Sequence, residues 1–125
     1  MKTSIYLALV VVSHVAAAET LEHPIHVSSS NSSTVVTEVN ARASFKFDQI
    51  VSVLFISAVT KNNDKYVVAI HCQSTKFDSE ENVTGLTINE LEIVTMSSSE
   101  HVLVDCGFGK LLQLSLANKS LKRDS

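Results

Sequence analysis

Two runs rich in β-branched and aromatic side chains dominate the middle of the chain: Ser52 to Thr60 (S-V-L-F-I-S-A-V-T) and Tyr66 to Cys72 (Y-V-V-A-I-H-C). Between them stands Lys61-Asn62-Asn63-Asp64-Lys65, with the Asn and Asp residues that tolerate left-handed turn geometry. The pattern predicts a β-hairpin. Both faces of its strands are largely apolar, which predicts a central place in a sheet covered on both sides. Further strands are expected around Thr84 to Ile88, around Leu91 to Met96 and from His101 to Cys106. In the last, Val102, Val104 and Cys106 point one way and His101, Leu103 and Asp105 the other. Tyr66, Val68, Ile70 and Cys72 share a face by the same alternation, so both cysteines can lie on buried faces of paired strands.

Cys72 and Cys106 are the only cysteines, and their chemistry depends on compartment. Residues 1–18 read as a secretory signal peptide: Lys2 supplies the positive start, Ile5 to Val12 the apolar run, and Ala16-Ala17-Ala18 the small-residue cleavage site before Glu19. Ser13 and His14 interrupt the run well short of the roughly 20 apolar residues of a membrane span. Cleavage after Ala18 removes Lys2 and leaves a chain one unit more negative than the formal −3. The expected product is secreted and extracellular, a monomer with no stable membrane insertion. On that oxidising route Cys72 and Cys106 are expected to bridge, for a stabilisation of about 3–4 kcal/mol in the chain-entropy model. Glycosylation sequons at Asn31, Asn82 and Asn118 fit the same route.

A single globular domain is expected over 34–118, with a polar surface arm at 19–33 before it and a polar tail at 119–125 after it. The arm holds the only proline, Pro24; the tail holds Lys122-Arg123, a dibasic trimming site. At 45% hydrophobic residues the chain is too apolar to be disordered, and its negative charge gives no electrostatic footprint for nucleic acid. Two cysteines cannot build a four-cysteine zinc site. There is no G-x-S-x-G elbow, and Gly107-Phe108-Gly109 reads as a strand-ending turn rather than a phosphate loop. No metal or cofactor is expected. Leu111, Leu112, Leu114 and Leu116 form a short apolar stretch expected to pack on the domain.

Val35 to Ile50 fits two periods at once. Ala43, Phe45 and Phe47 alternate with Arg42, Ser44, Lys46 and Asp48, as in a strand. Val36, Val39, Ala43, Phe47 and Ile50 also recur at helical spacing, with Arg42 and Asp48 outward. Periodicity alone favours strand. A helix makes the chain α+β, one helix packed on an antiparallel sheet; a strand makes it an all-β sandwich.

Three short segments bear on this choice: Lys65-Tyr66-Val67-Val68-Ala69, Gly85-Leu86-Thr87-Ile88-Asn89 and Val102-Leu103-Val104-Asp105-Cys106. In order and rough spacing they resemble the R-V-V-F-type, G-V-I-T-H and closing F-V-x-C strands of the small guanyl-specific microbial ribonucleases. The resemblance implies a helix ahead of an antiparallel sheet and so tips Val35 to Ile50 toward helix. Catalysis in that family uses a glutamate base, an arginine that stabilises the phosphorane and a histidine acid. Here Tyr66 stands at the arginine position, Asn89 at the histidine position, and Val53 to Ser57 holds no acid. In this the chain is similar to the catalytically degenerate ribonuclease-like effectors secreted by plant-pathogenic fungi, although Cys72 replaces their usual N-terminal cysteine partner. The resemblance implies a secreted, non-enzymatic virulence effector on a ribonuclease-like scaffold, with a host protein or RNA as partner.

The ligand contacts to be checked are His71, His101, Tyr66 and Asn89. His71 and His101 approach each other and Asp105 if their strands pair. An active ribonuclease with a rearranged set, Glu38, Arg42, His71 and His101, is the second reading. In a helix Glu38 and Arg42 would sit one turn apart as a surface ion pair. His23 and His26 flank Pro24 and are expected to be exposed in the arm. A cystatin-like protease inhibitor shares the order helix, hairpin, further strands. Its Q-x-V-x-G hairpin reads Val59-Thr60-Lys61-Asn62-Asn63 here, and its tryptophan is missing. If Val35 to Ile50 is a strand, a β-sandwich binding module results.

Overall fold

The computed structural model describes residues 19–117, with Asn89 described by its backbone alone. The signal-peptide segment, the Asn118 sequon and the tail at 119–125 lie outside the described residues. Eight strands follow one another: β1 (Thr20–Ser28), β2 (Ser33–Glu38), β3 (Ala43–Phe47), β4 (Ile50–Asn62), β5 (Lys65–Phe77), β6 (Val83–Ser97), β7 (Val102–Asp105) and β8 (Leu111–Leu116). They form two four-stranded antiparallel sheets, ordered β2-β1-β8-β7 and β3-β4-β5-β6. Placed end to end, the two orders form a ring in sequence order in which β8 returns to β1, although β2 and β3, and β6 and β7, belong to different sheets. The ladder is interrupted at two seams, β2/β3 and β6/β7. The architecture is an antiparallel β-sandwich of two four-stranded sheets.

No helix exists among the described residues, so the α+β expectation is corrected to its all-β alternative. Val35 to Ile50 falls into β2, β3 and the start of β4. Asn40 (φ 59°) and Asp48 (φ 55°) both take left-handed backbone, which breaks the helical period at the two turns. Alternation wins within β3: Ala43 and Phe45 are buried, Phe47 is half-buried, and Ser44 and Lys46 are exposed. The ribonuclease-like sheet is corrected with the helix. Segments 65–69 and 85–89 lie on paired β5 and β6, but 102–106 belongs to the other sheet. The helix in the cystatin order is missing for the same reason.

The 19–33 arm is corrected as well. β1 is an inner strand of its sheet, pairing with β2 on one side and β8 on the other, and Leu21, Ile25 and Val27 are buried. Pro24 sits where the β1–β2 register shifts, a place where a ladder tolerates a missing N–H. Its carbonyl accepts the Ala117 N–H at 3.0 Å, pinning the end of β8.

The central hairpin forms as expected and is longer than expected: β4 and β5 pair from Ile50↔Lys76 to Asn62↔Lys65. Asn63 (φ 62°) takes the left-handed position of its two-residue turn, as Asp48 does between β3 and β4. The two strands expected at 84–88 and 91–96 are one strand, β6, with a bulge opposite His71. Only one face of this sheet is covered. Leu54, Ile56, Val68, Ile70 and Met96 point inward and are fully buried, against Ile25, Val27, Leu112 and Leu114 of the other sheet. On the other face Val53 is buried, but Val51, Phe55 and Ala69 are half-exposed and Ala58 exposed, so the other sheet covers one face alone and the expectation of cover on both sides is corrected.

The β6/β7 seam is closed by other means than a ladder. Cys72 of β5 and Cys106, just after β7, form the expected disulfide, with Cα atoms 5.5 Å apart. It joins the two sheets instead of paired strands. Beside it, Ser52, Ser74 and Thr87 occupy one row across β4, β5 and β6. Ser74 Oγ donates to the Cys106 carbonyl at 2.8 Å, Thr87 Oγ1 donates to the same carbonyl at 3.2 Å, and Ser52 and Ser74 hydroxyls meet at 2.6 Å. Gly107 (φ 123°) lets the turn lie flush on this row: a Cβ there would come within 1.9 Å of Thr87 Oγ1.

Candidate functional site

The residues singled out from sequence are not brought together. His71 points outward from β5, between buried Ile70 and Cys72, and meets Phe55 edge-on at 5.2 Å between ring centroids. His101 lies on the far sheet, where its Nδ1 is 3.0 Å from Gln113 Nε2. Gln113 faces outward between buried Leu112 and Leu114, so the two histidines occupy opposite outer surfaces. β5 pairs with β4 and β6, and β7 with β8, so the pairing that would unite His71, His101 and Asp105 does not occur. Glu38 ends β2 and Arg42 lies in the following turn, both exposed; they complete no site with either histidine.

Tyr66 is half-buried at the core margin, with the His23 ring 5.0 Å away and Lys61 Nζ 5.8 Å from its ring centroid. His23 is thus packed against Tyr66, and His26 is half-buried in β1; neither sits on a loose arm. Asn89 pairs with Cys72 in the ladder. Among the described residues no group of three His, Cys, Asp or Glu side chains could hold a metal ion. Nor is any helix there long and apolar enough to cross a membrane. Asn31 and Asn82 both lie on exposed turns, β1–β2 and β5–β6.

Two concave places stand out among the described residues. The larger, about 390 Å³, lies between the β3–β4 and β5–β6 turns and is lined by Lys46, Asp48, Phe77, Asp78 and Glu81. Its carboxylate at Asp78 is engaged in shaping the turn. The backbone N–H of Asn82 (2.9 Å) and that of Glu80 (2.8 Å), with the Asn82 amide (3.3 Å), hold Asp78 below the usual aspartate range. Glu100 does the same for the β6–β7 turn, lowered first by the Ser97 N–H at 2.8 Å and then by the Lys65 charge. These groups build turns rather than a reaction site.

The second place is a shallow cleft of about 240 Å³ on the outer face of the β3–β6 sheet, at the β6 bulge, lined by Phe55, His71, Gln73, Ile88, Glu90 and Leu91. It is the centre of an apolar stripe. Leu86, Ile88, Leu91 and Ile93 of β6 are 55–64% exposed. The cause is a reversal of the usual pattern in β6. Thr87, between Leu86 and Ile88, turns its hydroxyl inward to the Cys106 carbonyl, so the hydrocarbon faces solvent. From 86 to 93 the strand carries two glutamates and no cation. Sequence reasoning missed this stripe; the signal for it was Leu86 and Ile88 at a spacing of two around a threonine. Compared with known protein families, with curated proteins and with solved structures, the chain matches none.

Proposed function

We propose that the protein is a secreted, non-enzymatic binding module that holds a partner protein on the outer face of the β3–β6 sheet. The carrying observation is the stripe of Leu86, Ile88, Leu91 and Ile93, which continues across the cleft to half-exposed Phe55. Contiguous exposed hydrocarbon marks contact surfaces, and the centres of such surfaces are depleted of charge. Of the partners expected from sequence, a protein suits this face better than RNA, because phosphate contacts need cations and the stripe has none. The separation of His71 from His101 argues for binding over catalysis: general acid–base work needs its groups within hydrogen-bond reach of one substrate. Secretion draws its support from Lys2, the apolar run, the alanine triplet and the bridge between the only two cysteines.

The test compares the disulfide-intact mature chain with Leu91→Lys/Ile93→Lys. Both side chains are exposed, so the variant should fold. Proteins cross-linked to the wild type are identified, made pure, and titrated against both forms. Binding weakened at least tenfold in the variant supports the reading, and equal binding overturns it. Cleavage of single-stranded RNA by the wild type that disappears in His101→Ala also overturns it.

A further inference from the structure

The bulge in β6 places a charge where the stripe otherwise has none. The β5–β6 ladder pairs Cys72 with Asn89 on one side of it and Ile70 with Glu92 on the other, so Glu90 and Leu91 together stand opposite His71. Bulges of this kind re-aim side chains. Alternation counted forward from outward Ile88 turns Glu90 outward, and alternation counted back from outward Ile93 turns Leu91 outward as well. Both line the outer cleft. Glu92 pairs with buried Ile70, belongs to the opposite face and does not line it. The result is one carboxylate in the middle of an apolar surface.

That carboxylate has no countercharge. Among the described residues Glu90 forms no ion pair, and the His71 ring in the same cleft is engaged edge-on with Phe55. Arg42 and Lys46 belong to the β3 side of the sheet, the margin opposite β6, and neither lines the cleft. In water an exposed carboxylate needs no partner. Beneath a docked protein it loses its water, and desolvation penalises the charge unless a cation arrives with the docking surface. A partner that seats dry on the stripe must therefore supply that cation.

We infer that the partner protein anchors itself in this cleft by an arginine, with its guanidinium on Glu90 and its stem along Ile88 and Leu91. The inference rests on the partner-binding reading and adds the chemistry of the anchor. At about 240 Å³ the cleft falls short of the roughly 300 Å³ at which small-molecule sites begin, and it suits a single side chain. Guanidinium fits better than ammonium: its planar fork matches a carboxylate, it is weakly hydrated, and it packs on aromatic rings. Phe55 supplies such a ring in the cleft, and the Gln73 amide oxygen can accept from the N–H groups that Glu90 leaves over. Ile88 and Leu91 give the methylene stem apolar walls.

The experiment selects short random peptides, displayed on phage, against the disulfide-intact mature chain, then titrates the enriched peptides as synthetic molecules. The expected peptides carry an arginine among apolar residues. Replacing that arginine by citrulline, which keeps the shape and removes the charge, should weaken binding to the wild type by about tenfold or more. The same replacement should change little against Glu90→Gln, since the coupling is then absent. Glu90→Arg should reject the arginine peptide and accept one with glutamate in its place. Glu90 is exposed, so both variants should fold, and their amide spectra check this. No enrichment, enriched peptides without arginine, or an equal citrulline effect on wild type and Glu90→Gln would each overturn the inference. Peptides lost on Leu91→Lys/Ile93→Lys but indifferent to Glu90→Gln would remove the anchor and leave the binding face standing. Peptides indifferent to both variants would count against the two readings together.

Discussion

The buried hydroxyl row makes a prediction about the sign of a coupling. Ser74 has one proton, and it goes to the Cys106 carbonyl at 2.8 Å. Ser52 is therefore the donor across the 2.6 Å contact. Both side chains are fully buried. Ser74→Ala removes two hydrogen bonds. The Cys106 carbonyl keeps Thr87, but the Ser52 hydroxyl loses its acceptor where water does not reach. A lost bond plus an orphaned buried donor costs about 2–3 kcal/mol. Ser52→Ala orphans no donor, since Ser74 keeps its bond to the carbonyl, and should cost about 1 kcal/mol. The double variant contains no orphan, so it should be no less stable than Ser74→Ala alone, whereas additivity would put it at about 3–4 kcal/mol. Urea unfolding of the four proteins, followed by circular dichroism, closes the cycle. Additive losses would refute the assignment of donor and acceptor.

Two further outcomes follow from the turns. Gly107→Ala should cost at least about 3 kcal/mol, because its Cβ would meet Thr87 Oγ1 at 1.9 Å and its φ of 123° is closed to alanine. Gly85→Ala should cost less, since the neighbour at 3.1 Å is the movable ring of Phe108; equal melting temperatures for the two would count against the packing of the β7–β8 turn. Asp78 is lowered by the Asn82 N–H first, so its contribution is complete above the ordinary aspartate pKa and is lost as pH falls through the lowered one. Amide exchange at Glu80 and Asn82 should accelerate over that acidic interval after correction for intrinsic rates, and Asp78→Asn should abolish the dependence.

What the residues disclosed depended on whether side chains or backbone did the ordering. Cys72 with Val68 and Ile70, and Cys106 with Val104, declare their buried faces by alternation, and those faces are found buried. β1 is the opposite case. It is held by ladders on both sides, so histidine, proline and glutamate can occupy it, and its composition imitates a loose arm. The helix expected at 35–50 came from apolar residues on separate strands, whose spacing across the turns at Asn40 and Asp48 coincides with 3.6. The outer stripe was hidden because a run such as Leu-Thr-Ile predicts inward hydrocarbon, whereas here the inward position is held by a threonine serving a carbonyl across the seam.

The ring order of the strands also sets a timetable. From β2 to β8 every pairing within a sheet joins consecutive strands across a short turn, so these contacts are local and can form as the chain lengthens. The pairing of β1 with β8 is the exception, since it joins the first described strand to the last. During synthesis β1 can fold onto β2 at once, but the other side of Ile25 to Ser28 waits for Gln113 to Leu116. The ring therefore closes last at β1. A chain truncated before Leu111 would take Leu112 and Leu114 out of the core that covers the β3–β6 sheet and leave Ile25 and Val27 without their β8 neighbours, so the soundness of each copy is decided by β8.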